Sequence, residues 1–173
     1  MSDYRTALAS FERAVARTVL TCADVTPDDW VARPRQDRHS MSEVLEHMSL
    51  SNELFRARLE KIRTAPAAVE RYSSLDDDEI PHLFERVDEP PGIAEPSGTW
   101  RAPKEAVRRF QESAAGILAC ADLDERLVRM RGAPHPLFGP LDGVQWALFA
   151  AAHTERHRSE LIGLKRRLAD KEQ

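Results

Sequence analysis

The chain has 173 residues and a formal net charge of −4, and this length is sufficient for one domain with its own hydrophobic core. A hydrophobic fraction of 42% excludes an intrinsically disordered protein, and the mildly acidic balance argues against a nucleic-acid partner, which needs a clustered basic face. Leucine and alanine supply 40 residues and the β-branched isoleucine and valine only 15, so the composition favours an all-α fold.

The first residues and the cysteines bear on the compartment. Residues 1–5 lack a basic stretch followed by an apolar one, so we expect no secretory signal, and the lack of any run of about 18 apolar residues predicts no membrane partner. Cys22 and Cys120 are too few and too far apart for a disulfide framework, which makes the reducing cytoplasm the expected location. We expect the two cysteines to lie at opposite ends of the fold, with neither a disulfide nor a nucleophilic role.

Hydrophobic periodicity predicts two helices in the first third of the chain. The first, over about 3–22, has apolar residues at spacings of three and four: Leu8, Phe11, Val15 and Val19. A loop punctuated by prolines and containing Trp30 follows. The second helix, over about 40–63, opens with a capping box, in which the Ser40 hydroxyl and the Glu43 carboxylate each accept from the other's backbone N–H.

Two further helices are predicted near the carboxyl end. The third, over about 103–121, begins at Pro103, whose missing N–H would be unpaired in a first helical turn anyway. The fourth, over about 142–170, has Asp142 as its cap, three residues before Gln145. The inward stripe of the fourth helix contains seven residues: Trp146, Ala150, His153, His157, Leu161, Leu164 and Leu168.

The segment 63–102 separates the second and third helices and holds five of the eleven prolines. Antiparallel neighbouring helices usually need only about 2–8 connecting residues, so 40 residues predict a crossover that returns the chain to the other end of the bundle. The resulting prediction is one domain over 1–173, an all-α four-helix bundle in up-down-down-up order. A short helix is predicted within the crossover at about 79–87.

Three of the six histidines have helical positions that indicate metal binding. His153 and His157, in H-T-E-R-H, lie one turn apart on the inward face of the fourth helix, and His47 lies within the apolar stripe of the second. Three neutral nitrogen ligands suit Zn²⁺ or Ni²⁺ and leave a coordination position open, as catalytic sites do.

A core role for these histidines is the competing interpretation. A lone H-x₃-H pair is weak evidence, and a single His47 could be hydrogen-bonded to a carbonyl. Three buried imidazoles without partners are costly, however, and one ion would satisfy all of them. The three-histidine metal site is therefore the favoured interpretation.

Several motifs together resemble the DinB/YfiT-like superfamily over nearly the whole chain. They are Leu45-Glu46-His47-Met48, His135-Pro136-Leu137-Phe138-Gly139-Pro140-Leu141, Gln145-Trp146 and His153-Thr154-Glu155-Arg156-His157. The resemblance implies a bacterial metal-binding four-helix bundle in up-down-down-up order, with His47, His153 and His157 as ligands. It also implies a metal-dependent hydrolase or a thiol-dependent transferase acting on a small molecule, and it allows a homodimer. The alternative is a non-enzymatic stress-response or binding module whose metal is structural or absent.

The remaining candidates concern groups around the metal. The best-known form of the motif has an aspartate after the helix-two histidine (H-x-x-D), whereas residues 50–52 here are Leu-Ser-Asn. Glu43 or Glu160 could supply a carboxylate instead, although capping or a solvated position is the ordinary role of each. Arg156 could bind an anionic substrate or form a salt bridge within the bundle. His135 could line the mouth of a pocket or, as we favour, fix the turn before the last helix.

Overall fold

The structure is a computed structural model that describes residues 3–35, 38–85 and 93–170, without the side chains of 84 and 85. Within these ranges it has six α-helices, one 3₁₀ helix and one β-hairpin. In chain order they are α1 (Tyr4–Thr21), α2 (Pro27–Val31), α3 (Met41–Thr64), the 3₁₀ helix (Asp77–Glu85), α4 (Pro103–Leu118), α5 (Glu125–Met130), β1 (Gly132–His135), β2 (Gly139–Asp142) and α6 (Gly143–Ala169). The long helices α1, α3, α4 and α6 form a four-helix bundle.

Side-chain caps fix where the two helices that carry the histidines begin. The Ser40 hydroxyl accepts from the backbone N–H of Glu43, whose carboxylate accepts from the N–H of Ser40 at 2.9 Å. Asp142 and Gln145 form the same reciprocal pair at the start of α6. Both predicted caps are therefore present, and they satisfy backbone donors that a helix leaves unpaired.

Helices α1 and α6 are parallel neighbours. Arg17 on α1 pairs with Glu155 on α6 at 2.6 Å. Further along α6, the Lys165 ammonium donates at 2.8 Å to the carbonyl oxygen of Ala23, just beyond the carboxyl end of α1. The contact that lies later in the sequence of α1 also lies later in the sequence of α6, so the two helices run parallel to each other.

Helices α3 and α4 are also parallel. Asn52 donates to the Ser113 hydroxyl at 3.1 Å, and beyond the carboxyl ends of the same two helices Arg63 pairs with Asp122 at 2.8 Å. Parallel neighbours need a connection that crosses the length of the bundle, and the segment between α3 and α4 supplies it.

Short elements that the sequence pattern does not predict occur between the long helices. The hairpin β1–β2 pairs Gly132 with Asp142 and His135 with Gly139, and its strands lack the β-branched alternation that identifies strands in a sequence. Helices α2 and α5 are only five and six residues long, too short for a periodic signal. The hairpin turn places Gly139 at a left-handed φ of +76°, which a glycine adopts readily because it has no Cβ.

The predicted crossover helix at about 79–87 is partly corrected. A 3₁₀ helix occupies Asp77–Glu85 in its place, and residues 86 and 87 lie outside the described ranges. Pro81 lacks the N–H that a regular α-helix needs at this point, which favours the tighter turns seen here.

The core forms two clusters along the bundle, and α3 contributes to both. One cluster receives Phe55, Leu59 and Ile62, and the other receives Met41, Val44, Leu45 and Met48. Cys120 lies in the first cluster and Cys22 in the second, and both are free thiols. Among the described residues, no helix combines the length and the apolar character needed to cross a bilayer.

Candidate metal centre

The three predicted histidines meet between α3 and α6. His47, His153 and His157 are 8%, 1% and 7% exposed, and one ring nitrogen from each lies within 4.8 Å of the others. The ring centroids of His153 and His157 are 4.5 Å apart, and that of His47 lies 4.8 Å from that of His157. Because α3 and α6 are long helices with capped starts, the cluster rests on rigid elements.

Hydrogen bonds to the outer ring nitrogens orient two of the rings. The Nδ1 of His47 lies 2.9 Å from the carbonyl oxygen of Ala94, and the Nδ1 of His157 lies 3.0 Å from the carboxylate of Glu160. Both oxygens accept, so each Nδ1 carries the hydrogen and, in the neutral ring, Nε2 has a lone pair directed into the cluster. Metal-binding histidines are commonly held in this way.

The spacing of the inner nitrogens fits a single small cation. The Nε2 atoms of His47 and His153 are 3.4 Å apart. When two nitrogens bind the same tetrahedral zinc ion, each at 2.0–2.1 Å, they lie about 3.3 Å from each other. The three histidines therefore form a group that could hold one metal ion.

The two carboxylates proposed from the sequence have different surroundings. Glu160 accepts from His157, and this hydrogen bond holds the pKa of its carboxyl below the ordinary value. Burial would raise the pKa of Glu43, but hydrogen bonds from Arg33 and Ser40 outweigh it and hold that pKa below its usual value. Glu43 is thus a capping residue in an ion pair, whereas Glu160 touches the histidine cluster.

Arg156 lies on another face of α6. It lines an open cleft of about 640 Å³ between α1 and α6, together with Ser10, Arg13 and Glu155. None of the three clustered histidines lines this cleft. The geometry therefore brings Arg156 to a different cavity from the candidate metal centre.

His135 ends β1 and packs in an aromatic group beside α6. Its ring stacks on Phe138 at 4.6 Å and contacts Phe149 at 4.7 Å, and its Nδ1 accepts from the backbone N–H of Leu137 at 3.2 Å. These contacts fix the hairpin turn, which is the role favoured for His135.

Two residues near the histidines had not been identified from the sequence. Ala94, whose carbonyl faces His47, adopts a left-handed φ of 53°, which is strained for a residue with a Cβ. The Ser51 hydroxyl lies 3.4 Å from the Nε2 of His47. The i and i+4 spacing of His47 and Ser51 was a usable signal for the serine, but nothing in the local sequence marks Ala94.

Fold and site together define a four-helix bundle with a buried three-histidine cluster. The family model of the DinB superfamily matches residues 10–161, so the chain belongs to the DinB superfamily. No curated protein matches its sequence.

Two solved structures share the fold. YfiT from Bacillus subtilis, described as a probable metal-dependent hydrolase with an unusual four-helix bundle topology, is 14% identical with a TM-score of 0.66, covering 98% of this chain and 91% of its own. TT2238, described as a four-helix bundle protein, is 19% identical with a TM-score of 0.63, covering 92% of this chain and 98% of its own. At these identities the likeness establishes the fold.

Proposed function

We propose that this DinB-like protein is a metal-dependent hydrolase that acts on a small molecule through His47, His153 and His157. The observation that carries the proposal is the 3.4 Å separation of the Nε2 atoms of His47 and His153, with the Nδ1 of His47 hydrogen-bonded to the carbonyl of Ala94. Bound at this site, Zn²⁺ or Ni²⁺ would supply Lewis-acid activation of water. The description of YfiT as a probable metal-dependent hydrolase supports the same class of reaction.

In this proposal, the chain's own residues orient the ligands and protect the site. Ala94 and Glu160 keep Nδ1 of His47 and His157 protonated, so that the Nε2 lone pairs remain directed inward. Phe55 packs edge-on against His153 at 5.2 Å and limits the access of water from the core side.

Metal content is the first test. Protein purified without added metal and then dialysed against Zn²⁺ or Ni²⁺ should bind about one ion per chain by elemental analysis. His153→Ala should bind less than about a tenth of an equivalent and keep its helical circular dichroism, while His82→Ala, which changes a histidine outside the cluster, should bind as the wild type does. Equal metal content in the wild type and His153→Ala would contradict the site.

Activity separates the chemical alternatives. The zinc-loaded wild type should hydrolyse an activated ester such as p-nitrophenyl acetate above the background rate. Zinc-loaded His82→Ala should hydrolyse it at the wild-type rate, and His153→Ala should fall to the background rate. A thiol-dependent transferase would instead show turnover only after a low-molecular-weight thiol is added. Metal binding without turnover, with unfolding on metal removal, would favour the structural alternative.

We also propose that the protein works in the cytoplasm without a nucleic-acid or membrane partner. Support comes from the acidic net charge of −4 and from the two free, buried cysteines. A homodimer is the proposed assembly, and sedimentation of the purified protein would test it.

A further inference from the structure

Three buried serines on α3 use their hydroxyl groups differently. Ser42 donates to the carbonyl of Trp100 at 2.7 Å, and Ser49 donates to the carbonyl of Leu45, one turn back, at 2.9 Å. Ser51 is 3% exposed, and its hydroxyl lies 3.4 Å from the Nε2 of His47. Ser51 is thus the one of these three whose hydroxyl faces the histidine cluster.

The direction of this contact follows from the hydrogen positions. Because the Nδ1 of His47 donates to Ala94, the neutral ring has its lone pair on Nε2, so the Ser51 O–H is the donor and Nε2 the acceptor. The same lone pair is the one that the proposed function assigns to a metal ion. Once it is used for coordination, a buried hydroxyl needs another acceptor, because a buried polar group without a partner is costly.

We propose that Ser51 then donates its hydrogen bond to the exogenous ligand at the open coordination position, and that it is a ligand-binding residue of this site. The spacing of four residues keeps Ser51 and His47 on one face of α3, so the hydroxyl adjoins the coordinating nitrogen. Such a donor favours a ligand that carries a hydrogen-bond acceptor atom next to the metal. Hydroxide, carboxylates, hydroxamates and thiolates are ligands of this kind. This inference rests on the proposed function.

The rival arrangement is a hydroxyl that bonds back to the carbonyl of its own helix. Ser49 has this arrangement on another face of α3 and is equally buried, which makes it a matched control. In the rival arrangement, removal of the Ser51 hydroxyl would leave the binding of a metal ligand unchanged.

The experiment uses the zinc-loaded full chain with acetohydroxamate as the probe, measured by isothermal titration calorimetry. Ser51→Ala should hold zinc with an affinity within about threefold of the wild type but bind acetohydroxamate about five- to tenfold more weakly. Ser51→Thr keeps a hydroxyl and should restore acetohydroxamate binding to within about twofold, and Ser49→Ala should bind like the wild type.

Each other outcome overturns the proposal in a distinguishable way. Unchanged acetohydroxamate binding by Ser51→Ala would assign the hydroxyl to the helix backbone and leave the metal site intact. Loss of zinc by Ser51→Ala would give the serine a role in metal binding or packing instead. A wild type that takes up no zinc would overturn the proposed function as well, and circular dichroism of each variant verifies that the bundle is folded.

Discussion

The carboxylate of Glu160 contacts the histidine cluster directly. It accepts from the Nδ1 of His157 at 3.0 Å, and this bond lowers the pKa of its own carboxyl group. A carboxylate in this position fixes the ring orientation and increases the basicity of the coordinating nitrogen. Its contribution should therefore be visible in metal affinity.

Glu160→Gln keeps the size of the side chain and removes its charge. We expect the zinc affinity to fall by about 10–100-fold, measured by competition with a chromophoric chelator. Glu12→Gln changes an exposed carboxylate on α1 and should leave the affinity unchanged. An affinity of Glu160→Gln equal to that of the Glu12 variant would mean that Glu160 is only a surface partner of His157.

The Cys22 thiol illustrates a titratable group without a role at the site. Burial raises its pKa from 9.0 to about 12, so the thiol stays neutral at pH 8. The pKa of this thiol is higher in the folded state than in the unfolded state. The neutral thiol's contribution to the free energy of unfolding is therefore fully present below pH 9.0 and is lost as the pH rises through about 12.

Alkylation measures this protection. At pH 8, we expect iodoacetamide to modify the Cys22 peptide about a hundredfold more slowly in the folded protein than in guanidinium, because both the thiolate fraction and access are reduced. Mass spectrometry of the peptide gives the rate. Modification at similar rates in both conditions would show that this region opens readily.

The residues of the site differ in how far the sequence could identify them. Histidines at i and i+4 share a helix face whatever the rest of the fold does, so His153 and His157 were predictable, and the apolar stripe around His47 turned that side chain inward as well. Ala94 is different, because it lies 47 residues after His47 in the chain, in the crossover between α3 and α4. Its carbonyl is next to His47 only because the crossover folds back over α3. No local pattern encodes that path.

Among the elements, an ion-pair cluster joins the crossover and α5 to the start of α6. Arg129 on α5 binds Asp77 of the 3₁₀ helix at 2.7 Å and Asp142 at 3.1 Å. Arg71 contacts the same two carboxylates at 2.9 and 3.2 Å. Both aspartates are buried, so each depends on these arginines.

Loss of one arginine should destabilise the fold. Arg129→Met keeps the length of the side chain but leaves buried charge uncompensated, so we expect the free energy of unfolding to fall by about 3 kcal/mol. The matched change Arg108→Met affects an exposed helix pair with Glu105 and Glu112 and should alter it by less than about 1 kcal/mol. Urea denaturation of both variants gives the comparison, and equal losses would contradict a special role for the buried cluster.

Long elements were predictable here and short ones were not. The reason is that α3 and α6 each contain several turns of amphipathic pattern and a capping box, whereas the hairpin joins residues such as Pro134 and Pro140 that rarely indicate strands. The ion-pair cluster likewise joins residues more than 50 positions apart, as Asp77 and Arg129 show. Tertiary packing, not local propensity, selects these features.

For the whole molecule, the histidines lie where two core clusters meet, between antiparallel α3 and α6. His47 faces His153 and His157, whereas Phe55, two turns further on α3, contacts Trp146 and Phe149, which precede those histidines on α6. Each cluster has its own buried aromatic side chains, so we expect the bundle to fold without metal. An ion at the centre would then add a cross-link between two helices that are already packed.

Metal binding should therefore raise stability without creating the fold. A ligand that binds only the folded state at 100 times its Kd adds about 2.7 kcal/mol, which for a chain of this size corresponds to a rise in Tm of about 5–10 °C. Zinc should produce this shift in the wild type and not in His153→Ala, and Mg²⁺ should produce none because it prefers oxygen ligands. Differential scanning calorimetry gives the shift, and circular dichroism of the metal-free protein should retain the helical signal. Loss of the helices on chelation would show that the metal is required for the fold. Equal stabilisation of His153→Ala and the wild type would show that the metal binds outside the three histidines. A cross-link confined to these histidines permits neither result.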